Sequence, residues 1–143
     1  GQATPEAMEL IVTPAPSTRD EYIAFSPKWQ LWQSKKYRSD EISFRNAVRY
    51  FDRSNYPEGG PRQMAAIYAS GSRAEGLQKL QVPTLVIHGI EDQLITPSGG
   101  ERTAELIPNS TLLMVEDMGH DMPKPLWPLY LDAISKHTAL VSQ

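Results

Sequence analysis

Val82-Pro83-Thr84-Leu85-Val86-Ile87-His88-Gly89-Ile90-Glu91-Asp92 is the stretch on which the fold turns. Its apolar, β-branched run predicts a strand buried on both faces, as in parallel sheets covered by helices, and Gly89 ends it. Further on, Thr111-Leu112-Leu113-Met114-Val115-Glu116 repeats the pattern. Between them Gly99 to Leu106 reads as a helix and Pro108-Asn109 as a turn. Strand, helix, strand is the unit that builds a parallel α/β sheet. Leu126 to Val141 reads as a closing helix, with Leu126, Leu129, Tyr130, Ala133 and Ile134 along one side.

Each strand is followed by a loop that carries one titratable residue. Asp92 comes four residues after His88, and His120 four residues after Glu116. Ligands and reactive groups of open α/β sheets gather at the carboxyl ends of the strands. A parallel pair joined by a helical crossover can therefore bring these two side chains together. A carboxylate on one imidazole nitrogen fixes the tautomer and leaves the other nitrogen free to take a proton. Gly119 is expected to let the backbone turn sharply under the histidine. The blander reading of Asp92 is a turn residue after a strand-ending glycine, and that of His120 a loop histidine. His88, at the end of a buried strand, is expected to be structural, and His137 to lie on a helix surface. Asp117 and Asp121 are expected to be solvated loop carboxylates. A metal site from His88, Asp92, His120 and Asp121 has no compact ligand spacing behind it, so none is expected.

Upstream of about Leu80 the chain reads as short helices broken by Pro and Gly. Thr4 to Val12 is the first. Ser17, with Asp20 three residues on, is the expected start of the next, which Pro27 splits. From Asp40, Phe44, Ala47, Val48 and Phe51 share one helical face. Met64, Ile67 and Tyr68 mark a further helix, closed by Gly71 in a left-handed conformation. Ser72 and Glu75 form an S-x-x-E capping pattern for a short helix to Leu80. The aromatic set Tyr22, Phe25, Trp29, Trp32 and Tyr37 is expected to pack this helical part, with Trp29 and Trp32 also facing a pocket.

The 143 residues suit one domain. With 40% hydrophobic and 22% charged residues, disordered, collagen-like and coiled-coil classes lose weight. A net charge of -3 offers no footprint for nucleic acid or an anionic membrane. The absence of cysteine removes disulfides, thiolate metal sites and a thiol nucleophile. No apolar run approaches the ~20 residues of a membrane span, and no leader is evident, so a cytoplasmic protein is expected. The opening Gly1-Gln2-Ala3-Thr4-Pro5 lacks Met, which suggests that something precedes it.

The segments "VPTLVIHGIEDQLITP", "AELIPNSTLL" and "MGHDMP" resemble the closing section of serine hydrolases of the α/β-hydrolase fold. The resemblance implies an α/β fold, here its carboxyl-terminal portion: a helical lid over 1–80, then strand-helix-strand-helix core over 81–143. It implies that Asp92, in H-G-x-x-D, and His120, in G-H, are the triad acid and base, in the order that family uses. Met118 and Met122, flanking His120, and Trp29 and Trp32 are then the candidate substrate-binding residues. The implied substrate is a small-molecule ester, with no metal and no organic cofactor. The phrase "YASGSRAEGLQKLQVPTLVIHG" is similar to the aclacinomycin methylesterase group. The chain departs from the family in having no G-x-S-x-G elbow and no upstream H-G loop for oxyanion amides. Ser70, Ser72 and Ser98 lie near glycines without making that motif, and Ser98 reads as a helix opening. Two expectations follow. In one, the chain is part of an esterase, silent alone, and self-associates through an uncovered strand edge or exposed lid aromatics, or pairs with an amino-terminal half. In the other, it is a stand-alone, non-catalytic binding module.

Overall fold

The computed structural model describes residues 1–141. Helix α1, Pro5–Val12, is started by Thr4, whose Oγ1 accepts from the Ala7 amide at 3.2 Å, with Pro5 at the first helical position. Helix α2, Arg19–Phe25, begins one residue later than Ser17 suggested: Thr18 is the cap, and its hydroxyl donates to the Glu21 carboxylate at 2.7 Å. Pro27 then tightens the chain into a 3₁₀ segment, Ser26–Trp32. Helix α3, Asp40–Arg53, is capped by Ser39, which accepts from the Ile42 amide at 3.2 Å. Ser43 and Ala47 are its buried residues, whereas Phe44 is 40% exposed, so the inward stripe is rotated from the predicted one. Arg19 grips Asp52 with two bonds, 2.7 and 2.9 Å, tying α2 to α3. Tyr22 packs on Trp29 and Phe51 at centroid distances of 4.7 and 5.4 Å, and Phe25 packs on Trp29 at 5.5 Å.

Helix α4, Gly59–Ser70, is exposed along most of its length, including Ile67 and Tyr68. It ends at Gly71 with φ 59° and ψ -154°. That is positive φ, but outside the left-handed helical well that was expected, in a region open essentially to glycine alone. The S-x-x-E box does not form. Ser72 accepts from the Ala74 amide at 3.3 Å, two residues on, and Glu75 turns forward to Lys79 at 2.5 Å inside helix α5, Ala74–Gln78. The helix is capped by Arg73, so Ser72 falls outside it and Glu75 stands at the second helical position, one residue out of register for the box.

Strands β1, Thr84–Gly89, and β2, Ser110–Val115, are parallel, in register from Thr84 opposite Ser110 to Gly89 opposite Val115. Helix α6, Ser98–Leu106, makes the crossover, and a 3₁₀ turn, Lys124–Leu126, leads into helix α7, Trp127–Val141. The core on this side is Val115, Met118 and Tyr130, with Ile87, Leu113 and Leu126 against it. Two expectations need correction. From Thr84 to His88, β1 is half-buried rather than buried, because among the described residues the sheet has two strands and covers β1 on one edge only. On α7 only Tyr130 of the predicted stripe is buried, while Leu129 and Ile134 are about two-fifths exposed, at 40% and 43%.

Candidate active site

The register of the two strands sets their following loops side by side. The loops are stitched together by Ile90 N to Val115 O at 3.0 Å and Glu91 N to Met118 O at 2.9 Å. Gly89 makes this approach possible: a Cβ there would lie 2.3 Å from the Met118 carbonyl oxygen. Asp92 is 5% exposed and divides its two oxygens between two tasks. Oδ1 accepts from the amides of Leu94 and Ile95, at 2.8 and 2.9 Å, closing an Asx-type turn. Oδ2 meets His120 Nδ1 at 2.8 Å. Asp92 thus closes the turn with one oxygen and meets the imidazole with the other.

A carboxylate only accepts, so Nδ1 of His120 carries the hydrogen and, in the neutral ring, Nε2 is left with its lone pair. The His120 side chain is 43% exposed, which leaves that nitrogen approachable. His88 donates from Nε2 to the Ile95 carbonyl at 2.8 Å and stays 3.8 Å from Asp92, bracing the acid loop as expected.

Asp92 and His120 share a cavity of about 240 Å³ with Met118, Met122 and Ile95. Met118 is buried and Met122 exposed, with the Met122 carbonyl held by the Trp127 indole at 2.9 Å. Trp29 and Trp32 line a different cavity, of about 270 Å³, with Tyr22 and Tyr50. The four candidate binding residues therefore split into two pairs. Among the described residues no serine lines the cavity of Asp92 and His120. Among the described residues no cluster of metal-ligating side chains occurs, and no helix is long and apolar enough to cross a membrane.

What the sequence did not disclose is a strap, residues 32–36, bound across both loops. His120 N donates to Trp32 O at 2.6 Å. Ser34 N donates to Asp121 Oδ1 at 2.8 Å and Lys35 N to Glu91 Oε2 at 2.9 Å, while the Lys36 ammonium pairs with Asp117. Asp117 and Asp121 are accordingly not idle loop carboxylates. Asp121 is half-buried, and burial pushes its carboxyl above the usual range, against the pull of the Ser34, Gly119 and Asp121 amides and of His120. Asp117 sits at φ 56°. Gly119 has no positive φ; its value is room, since a Cβ would fall 2.5 Å from Trp32 O and 2.8 Å from Ser34 N. The available signal, charge complementarity, covers only Asp117 against Lys36; the other contacts are made by backbone amides.

With this geometry in hand, comparison with known proteins is informative. The alpha/beta hydrolase fold family profile matches residues 11–123. A non-heme chloroperoxidase of Kitasatospora aureofaciens is 34% identical over 77 residues, which cover 53% of this chain and 28% of that protein. A lipase of a Moraxella species is 42% identical over 48 residues, 34% of this chain and 15% of that one. Among solved structures, an esterase from a Rhodococcus species superposes with a TM-score of 0.65 at 21% identity, over 99% of this chain and 49% of that one. The matched stretch is thus well under half of each curated relative and about half of that structure.

Proposed function

The chain belongs to the α/β-hydrolase fold family, and from that premise we propose that it is the carboxyl-terminal part of a serine hydrolase of carboxylic esters. Residues 1–80 act as its lid and residues 81–143 as the end of its core. A serine from another part of the fold attacks the ester carbonyl, and His120 Nε2 takes its proton. Asp92, through Oδ2, keeps the hydrogen on Nδ1 and stabilises the imidazolium that forms. The proton then passes to the leaving alcohol, and water, activated by the same nitrogen, releases the acid. Met118 and Met122 border the acyl group.

The observation that carries this is the 2.8 Å contact of His120 Nδ1 with a carboxylate whose other oxygen is already pinned by two amides. Such a carboxylate cannot swing away from the ring. An acid-base pair without nucleophile or oxyanion donors does not run acyl transfer, so the 143-residue chain alone is silent. It self-associates or pairs with an amino-terminal half through the uncovered edge of β1, the kind of edge that invites strand addition. The test is turnover of p-nitrophenyl acetate. A chain that includes the serine shows a burst, and His120→Ala lowers kcat by about 10⁴-fold or more. Turnover by the 143 residues alone that disappears in His120→Ala would overturn the incomplete-site reading.

A further inference from the structure

The strap makes a claim beyond the pair itself. Residues that hold a base by its side chain alone leave its backbone free to drift, and here the backbone is held too. His120 N donates to Trp32 O, and one residue later Asp121 accepts from Ser34 N, so two bonds of opposite direction grip the same dipeptide. Lys35 N on Glu91 ties the strap equally to the acid loop. Ser34 is fully buried, and its Oγ accepts from the Tyr37 amide at 3.2 Å, closing the strap into a turn of its own. Gly119 gives the strap the space to lie this close. None of these groups lies between Asp92 and His120, yet all of them fix where the imidazole starts.

We infer that Asp121 is a positioning residue: by anchoring Ser34 it locks the 32–36 strap over the histidine loop and holds the His120 ring in line with Asp92. This rests on the reading of His120 as the base, and it assigns Asp121 no contact with substrate. Removing the clamp lets the 119–121 turn rock about the remaining Trp32 bond. The Nδ1 hydrogen of His120 is then exposed to water more of the time.

Nitrogen-15 NMR of the labelled chain reads this without any turnover. The unmodified protein shows a slowly exchanging, low-field Nδ1 hydrogen on His120, which Asp92→Asn removes. In Asp121→Ala its exchange with water accelerates about tenfold, the value of one bond to a charged acceptor. Asp121→Asn, which keeps an oxygen for Ser34, restores the slow rate. Amide exchange on the unmodified protein gives a second measurement that does not depend on a variant folding: the Ser34 amide, the His120 amide and the His120 ring hydrogen open at one common rate. A ring hydrogen present but indifferent to Asp121→Ala, or Ser34 and His120 opening independently, overturns the inference and leaves the acid-base pair standing. Absence of the ring hydrogen from the unmodified protein overturns both.

Discussion

Truncating Asp92 to alanine separates its two tasks. In the folded chain Oδ1 satisfies the amides of Leu94 and Ile95 at 2.8 and 2.9 Å, and Oδ2 satisfies His120 Nδ1 at 2.8 Å. A bond to a charged acceptor contributes about 1.5–3 kcal/mol, and the loop is open enough for water to replace part of it. The two amides together therefore put the cost of Asp92→Ala at about 3 kcal/mol, with the half-exposed imidazole adding little. Asp92→Asn keeps a carbonyl oxygen for both amides and should cost only about 1 kcal/mol. The same change turns a donor toward Nδ1, so the imidazole hydrogen moves to Nε2 and the lone pair on that nitrogen is lost. Urea unfolding with unchanged m-value measures the first effect, and nitrogen-15 shifts of the ring above pH 8 read the second. If alanine and asparagine fall within about 0.5 kcal/mol of each other, the turn bonds are not holding the carboxylate. If the tautomer stays put in asparagine, the Oδ2 contact is not directing the ring.

Gly119→Ala drives a methyl into Trp32 O and Ser34 N and should destabilise by about 1–3 kcal/mol, whereas Gly76→Ala, with nothing within 4 Å, should stabilise by about 0.5–1 kcal/mol; paired thermal melts decide it. Asp121 keeps its proton to higher pH folded than unfolded, so its contribution makes the fold most stable below the ordinary carboxyl value of 3.8 and less stable as pH rises through the raised one. Subtracting the pH-stability curve of Asp121→Asn from that of the unmodified protein should leave that downward slope, and an upward difference would contradict the burial argument. Trp127, Leu131 and Ile134 are 49%, 62% and 43% exposed on α7. Leu131→Glu with Ile134→Glu should leave a self-associated species intact in sedimentation velocity, because the association runs through the β1 edge, and a shift to monomer would place the contact on α7 instead.

Legibility followed the range of the interaction. Strand-helix-strand and the positions of Asp92 and His120 are local patterns repeated at equal spacing, and both strands came within two residues of their predicted bounds. The failures were matters of partnership. Ser72 and Glu75 have the letters of a capping box, but the helix starts at Ala74 with Arg73 as its cap, which puts both letters one residue out of register. The burial of β1 depends on what flanks a sheet, which no strand encodes in itself. Trp29 and Trp32 were expected to pack the helical part and face a pocket, and the 3₁₀ segment that contains Pro27 turns them toward α3, into a cavity separate from that of Asp92 and His120. Asp121 was misjudged because its donor, Ser34, is 87 positions distant.

That distance bears on any attempt to exchange pieces between relatives. By composition the natural cut falls near residue 80, between helices and strands. Bonding puts five residues from the first piece, Trp32 to Lys36, in the furniture of the second. A chimera joined at 80 would import foreign backbone against Gly119, and the loops of Asp92 and His120 would arrive unbraced unless that pentapeptide travelled with them.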